Sequence, residues 1–416
     1  MSDTSDAASH DDREARFLLS TQGIRQRAEE VYASVLRGRS SHWVLDEGRL
    51  SDVVDRVVRT TAATYPSFRA IPTHSRWRHF GAGGLDRVSA LAALLRVADV
   101  DERLAAQIDL VVTSVLLDAG AGDSWRYRAA TGETYTRSEG LAVASYDLFL
   151  SGCFAAHPDR EPLRADGAAL RRVDASSLAL AFQVNGENPL VGLEGRAALL
   201  RRLGSVVDGH PEYFARPDRP GDPPRLGNLA LYLQRTARGG ELSASAVLSA
   251  ILEVFGAIWP AREVCAGRPL GDVWKHSQLG RIPFHKLSQW LAYSFLEPLE
   301  WAGLRITRVD DLTGLAEYRN GGLFVDGGVL CPLAPERLLE AHDVDSDLVI
   351  EWRALTIALL DRTAEAMRRR LDLSADELPL ARVLEGGTWQ AGRALAAERR
   401  PSGGPPIRVR SDGTVF

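Results

Sequence analysis

Apolar residues return at three- and four-residue intervals in one stretch after another of this 416-residue chain. That is the spacing of a helix that buries one face. The pattern predicts helices at about 17–37, 48–63, 85–97, 102–117, 138–152, 193–207, 225–238, 244–257, 346–371 and 389–399. Strict alternation, the mark of a half-buried strand, is rare, so one or two small β elements are expected, one of them within 323–330. The fold class that follows is mainly α, a multi-helix globular fold. One large helical domain is expected over 17–416, behind a polar tail at 1–16 whose composition reads as disorder. The run RPDRPGDPPR at 216–225 is a proline-rich loop connector, and helical patterns resume on both sides of it.

Composition narrows function by exclusion. Hydrophobic residues make up 45% and charged residues 25%, which suits an ordinary globular core. The net charge of −5 is spread along the chain, and no basic domain advertises nucleic-acid binding. No window approaches the ~18–20 uninterrupted apolar residues of a membrane-crossing helix, and residues 1–16 lack the apolar run of a signal peptide. Cys153, Cys265 and Cys331 are odd in number and far apart, with no C-x-x-C pair, so a cytoplasmic, reducing location is expected.

The stretch richest in chemistry covers 282–326 and reads IPFHKLSQWLAYSFLEPLEWAGLRITRVDDLTGLAEYRNGGLFVD. A helix opening at Pro283 is expected, because proline is tolerated in a first turn, and Pro298 should end or kink it. Leu287, Leu291 and Phe295 share an apolar face. Lys286, Gln289, Trp290 and Tyr293 share another, so one side carries a cation, an amide and two rings. Downstream, Glu317-Tyr318-Arg319-Asn320 sets acid, phenol, guanidinium and amide ahead of Gly321-Gly322, read as a turn. Binding groups favour loops held by rigid elements, which makes this a site candidate. Glu317 is the leading choice for a general base or charge stabiliser, with Arg319 and Lys286 as electrostatic neighbours. The alternatives are a Glu–Arg ion pair pinning a turn and a lysine snorkelling to the surface.

Two further clusters precede it. His74-Ser75-Arg76-Trp77-Arg78-His79 packs two histidines, two arginines and a tryptophan into six residues. Arginine forks suit a phosphate or carboxylate, and an indole face suits a base or sugar. A basic surface loop with an anchoring tryptophan fits the same letters. Asp118-Ala119-Gly120-Ala121-Gly122-Asp123 follows a helical pattern rather than a strand and lacks the P-loop lysine, which argues against a nucleoside triphosphate or NAD site. Its turn would place Asp118, Asp123 or Trp125 in a cleft. Pairing His74 and His79 with Asp118 or Asp123 gives a metal reading, but no closed ligand motif such as H-E-x-x-H is present. No Gly-x-Ser-x-Gly elbow occurs, so a nucleophilic hydrolase is disfavoured.

The runs HSRWRHFGAGG, LLDAGAGDSWRYR, RSEGLAVASYDLF, FQVNGENPLVGLEGR, IPFHKLSQWLAYSFLEPLE, LTGLAEYRNGGLFVD, EWRALTIALLDR and SDGTVF resemble the uracil-catabolism family of the non-reductive URC pathway of fungi and bacteria, in its fourth protein. The resemblance covers nearly all of 18–416 and implies a place in pyrimidine degradation. A second, more distant one rests on an order of residues: an aromatic residue, a lysine and a glutamine on a helix, then acid-Tyr-Arg, then a helix bearing Glu351 and Arg353. That order looks like the queuosine-nucleotide salvage N-glycosidases, a mainly helical family related in fold to DNA glycosylases. The likeness implies Lys286 and Glu317 as catalytic residues, with glutamate one methylene longer than that family's aspartate. It also implies a base pocket near Asp118–Trp125.

The resulting expectation is an enzyme hydrolysing the N-glycosidic bond of a uracil-derived ribosyl compound, such as ribosylurea or its 5′-phosphate, without metal or organic cofactor. Cleavage builds positive charge on the ribose carbon, which a carboxylate can stabilise. Substrate contacts are expected from His74, Arg76, Trp77, Arg78, His79, Asp118, Asp123, Trp125, Gln289, Tyr318, Arg319, Asn320, Glu351 and Arg353, with Lys286, Arg319 and Arg76 or Arg78 on a phosphate. The partner is then a small nucleoside or nucleotide derivative, with other uracil-catabolism enzymes as candidate associates and no nucleic acid or membrane. The alternatives are a metal-dependent amidohydrolase-like step through His74, His79 and Asp118, and a non-catalytic binding protein of the same pathway.

Overall fold

Two helices buried along most of their length set the architecture. Asp347–Leu371 is buried along most of its length, from Leu348 to Met367, and Lys286–Trp301 is buried nearly all round. Helices of that kind belong in an interior, with others wrapped about them. The computed structural model describes residues 3–118, 120–122, 124–259 and 263–410. In it the Thr21–Leu36 and Tyr318–Asp326 helices flank the long helix. Val100–Leu116 and Ala244–Phe255 flank the helix of Lys286. The surrounding helices are amphipathic: Leu50–Thr64 buries Val53, Val54, Val57 and Thr61, one stripe at helical spacing. A contiguous cluster of buried side chains runs from Ile24 to Ile407, and the fold is mainly α. No helix among the described residues is long and apolar enough to cross a membrane.

The β structure is a set of two-stranded staples. Antiparallel pairs join Arg126–Arg128 to Thr134–Thr136 and Val273–His276 to Gly280–Pro283. Parallel pairs join Glu241–Ser243 to Arg305–Thr307 and Ala341–Asp343 to Arg408–Arg410. The proline-rich connector at 216–225 is tied to the helical core by its last residue. Arg225 is buried, its Nε is 2.5 Å from Asp109 Oδ2, and Asp109 Oδ1 accepts from Gly227 N at 2.6 Å.

Local expectations fail where a tertiary partner intervenes. The polar stretch read as a disordered tail is helical over Asp3–Leu18, its last turn held by buried Ala15 and Leu18 against Leu270 and Val273. Pro283 closes a strand, and the helix begins at Lys286 after His285 turns the chain in the left-handed region at φ 50°. Pro298 does not end that helix, which continues to Trp301. Proline there leaves the Ser294 carbonyl without its usual i+4 donor, and Trp77 Nε1 supplies one at 2.9 Å. The element expected in 323–330 is helix to Asp326, and only Leu330–Pro332 is strand. Gly321 and Gly322 lie inside that helix rather than in a turn, because Glu317 caps it. Gly321 lets the long helix approach, since an added Cβ would sit 2.7 Å from the Trp352 ring.

Candidate functional site

A cavity of about 400 Å³ opens between the Lys286–Trp301, Tyr318–Asp326 and Trp389–Arg399 helices and the strand at Arg408–Arg410. Asp118, Lys286, Glu317, Tyr318 and Arg319 all line it, so residues far apart in sequence meet in one place. Trp290 and Trp389 supply flat apolar wall.

Lys286 reaches the cavity because its helix start is pinned from below. Asp272 Oδ2 accepts the Lys286 backbone N–H at 3.0 Å, and both Asp272 oxygens take the Arg353 guanidinium at 2.8 Å. Burial opposes the charge on Asp272, but Arg353 and the N–H donors hold its carboxyl below the usual range. The Lys286 side chain makes no hydrogen bond or ion pair among the described residues. Its Nζ lies 6.0 Å from the Trp290 ring centroid. Burial pushes this ammonium below its ordinary value, while Asp118 and Glu317 pull it back up.

Glu317 is buried and caps the next helix. Its two carboxylate oxygens accept from Arg319 N at 2.8 Å and Asn320 N at 2.6 Å. No Glu317–Arg319 ion pair forms among the described residues. The Arg319 guanidinium instead lies 4.6 Å from the Trp389 ring and 5.3 Å from Tyr318, with no carboxylate at ion-pair distance among the described residues. A carboxylate offers about four lone-pair sites, and two backbone bonds leave the others for the cavity. The acid is therefore held without being used up.

Several predicted contacts are scaffolding. Gln289 Nε2 donates to Thr313 Oγ1 at 2.8 Å and Tyr293 Oη to the Thr313 carbonyl at 3.0 Å, fixing the linker that delivers Glu317. Asn320 Nδ2 bonds the Leu315 carbonyl at 3.3 Å, and Arg353 serves Asp272. Arg76 is fully buried, 3.0 Å from Asp118 Oδ1 and 2.7 Å from Ser114 Oγ, so it orients the acid rather than reaching for an anion. Trp77 is occupied by Ser294, and Arg78 pairs with Glu297 at 2.5 Å. Trp125 is fully buried, with Nε1 donating to the Phe182 carbonyl at 2.9 Å. Glu351 sits elsewhere, between Ser40 Oγ at 2.5 Å and His276 Nε2 at 3.1 Å. None of these nine side chains lines the cavity. Asp123 and the closing SDGTVF lie outside the described residues. In FQVNGENP, Asn188 and Gln183 bind the backbone of Arg126 and Arg128, a hydrogen-bonded turn.

His74 and His79 line a separate chamber of about 150 Å³ that shares Trp389 with the main cavity. His74 Nδ1 is 2.7 Å from Glu385 Oε2. His79 is stacked on Trp290 at 5.5 Å, and burial followed by the charges of Arg76, His74, Arg319 and Arg393 pushes it well below the ordinary histidine value. The metal reading required His74, His79 and Asp118 to converge, and they are divided between two cavities. Sequence reasoning missed Trp389, Arg137 and Arg408 on the main wall. Gly-Gly-Thr-Trp at 386–389 was a visible cue for the first, whereas nothing in the sequence marks Arg408.

Fold and cavity together define a mainly helical protein built around a ligand-sized chamber that mixes acids, cations and aromatic rings. The chain belongs to the family described as protein of unknown function (DUF1688), which matches residues 17–416. It is 40% identical over 409 residues to "Protein urg3" of Schizosaccharomyces pombe, covering 96% of this chain and 98% of that one. Against "Uracil catabolism protein 4" of Lachancea kluyveri it is 36% identical over 444 residues, covering 97% and 99%.

Proposed function

We propose that this protein acts in uracil catabolism and hydrolyses the N-glycosidic bond of a uracil-derived ribosyl compound, such as ribosylurea or its 5′-phosphate. The pathway rests on the name of the Lachancea relative. The reaction rests on one observation above all: Glu317 and Lys286 face the same cavity, flanked by Arg319 and aromatic wall. In the reaction the bond between the anomeric carbon and nitrogen breaks, and its electron pair leaves with nitrogen. Positive charge spreads over the anomeric carbon and ring oxygen, opposite the Glu317 carboxylate. Water adds its hydroxyl to that carbon and one proton ends on the departing nitrogen, so ribosylurea gives ribose and urea, and its 5′-phosphate gives ribose 5-phosphate and urea. Arg319 and Lys286 hold the phosphate, and Trp290 and Trp389 flank the sugar and leaving group.

The test separates chemistry from capping. Glu317→Gln should bind ribose 5-phosphate and lose only about 1 kcal/mol of stability from a weakened cap, while ribose release from ribosylurea substrates drops about 100-fold or more. Mass spectrometry of the products reads the release, and calorimetric titration and chemical denaturation read the binding and the stability. Turnover matching wild type in that variant, or no ribose from wild type with any ribosyl ureide, removes the reading.

A further inference from the structure

Three helices begin on the wall of the main cavity. Arg137–Leu150, Lys286–Trp301 and Tyr318–Asp326 each contribute their first residue to it. Aligned peptide dipoles leave about half a positive charge at each start. At two of them a carboxylate of the protein meets that charge: Asp272 accepts the Lys286 N–H, and Glu317 accepts those of Arg319 and Asn320. The third has no such cap among the described residues. Thr136 makes no side-chain capping bond to the helix it precedes, and the first-turn acid Glu139 pairs with Arg393 at 3.1 Å. Ser138, in the same turn, lines the cavity, and its hydroxyl makes no hydrogen bond among the described residues.

The charges on the wall point to a ligand as well. Lys286 and Arg319 are only 8% and 6% exposed, and neither meets a carboxylate at ion-pair distance among the described residues. Their side-chain nitrogens keep accessible surface, unlike the enclosed Nη2 of Arg76, and both residues line the cavity. The wall sets Asp118 and Glu317 against Lys286, Arg319, Arg137 and Arg408, and Asp118 is already matched by Arg76 at 3.0 Å. A surplus of positive charge is left. These groups gather round one point: burial raises the Tyr318 hydroxyl, and the charges of Arg319, Glu317, Arg137 and Asp118 all act on it. An unphosphorylated ribosyl ureide is neutral and offsets none of the surplus. A phosphate monoester brings close to two negative charges and three acceptor oxygens, and an open helix start suits it.

We propose that the substrate must carry a phosphate monoester, whose oxygens take the uncapped start of the Arg137–Leu150 helix at Ser138 together with Lys286 and Arg319. The rest of the substrate follows from the glycosidase reading, on which this proposal rests, and the binding test stands apart from turnover. Calorimetric titration of the full chain compares ribose 5-phosphate with ribose. Wild type should favour the phosphate by about 100-fold or more, the worth of two charge-assisted hydrogen bonds. Ser138→Ala should weaken ribose 5-phosphate binding about tenfold. Ser138→Asp, which sets a carboxylate against the phosphate, should erase the preference. An aspartate in a first turn favours the helix, so the thermal midpoint should hold or rise while binding is lost. Equal affinity for the two sugars in wild type, no binding of ribose 5-phosphate, or wild-type affinity in either variant overturns the proposal. Cleavage of free ribosylurea as fast as its 5′-phosphate also overturns it, and leaves the glycosidase reading standing. Phosphate-selective binding without cleavage of either compound supports the anion site and sinks the glycosidase reading instead.

Discussion

Lys286 owes its chemistry to what surrounds it. It is almost fully buried among Trp290, Asp118 and Glu317 and makes no ion pair among the described residues, so a bound anion is its natural partner. Its ammonium loses the proton below the ordinary 10.5, because burial disfavours charge. Affinity for ribose 5-phosphate should then fall as pH rises through that lowered value, since the neutral amine holds no anion. Lys286→Met should weaken binding at neutral pH by about 1.5–3 kcal/mol, the worth of a charged hydrogen bond, and should flatten the alkaline decline. Calorimetric titration across pH measures both. The sequence singled out Lys286 and Glu317 by the polar residues around each, and both line the cavity. Gln289, Asn320 and Arg353 carry the same kinds of polar group and do not line it. What separates them is Thr313, Leu315 and Asp272, neighbours that only the folded chain brings within reach.

Among elements, the critical contact is between the Tyr318–Asp326 and Trp389–Arg399 helices. A Cβ added at Gly392 would lie 2.2 Å from the Arg319 carbonyl, so the two backbones touch there. Gly392→Ala should force them apart and cost about 1–3 kcal/mol. Because Arg319 and Trp389 both line the cavity, ribose 5-phosphate affinity should drop alongside the thermal midpoint. An unchanged affinity would mean that the cavity tolerates the shift. Helices were readable because their period repeats within one segment. The staples were not, since strands of two to four residues carry too little alternation, and partners such as Ala341–Asp343 and Arg408–Arg410 are remote in sequence. The Gly321-Gly322 pair misled because glycine permits both a turn and a close helix approach. The capping side chain of Glu317 decides which.

At the scale of the molecule, the connector at 216–225 is locked by Arg225 against Asp109 and Glu102, each 2.5 Å away. Arg225→Ala would leave Asp109 buried and unpaired, and should cost about 3–5 kcal/mol in chemical denaturation. A loss within the scatter of surface substitutions would show that the connector is only loosely held. The main cavity has a further property that follows from its walls. They run from Asp118 to Val409, and the Arg408–Arg410 strand is held in place by pairing with Ala341–Asp343. The cavity is therefore incomplete until the Arg408–Arg410 strand has docked beside Ala341–Asp343.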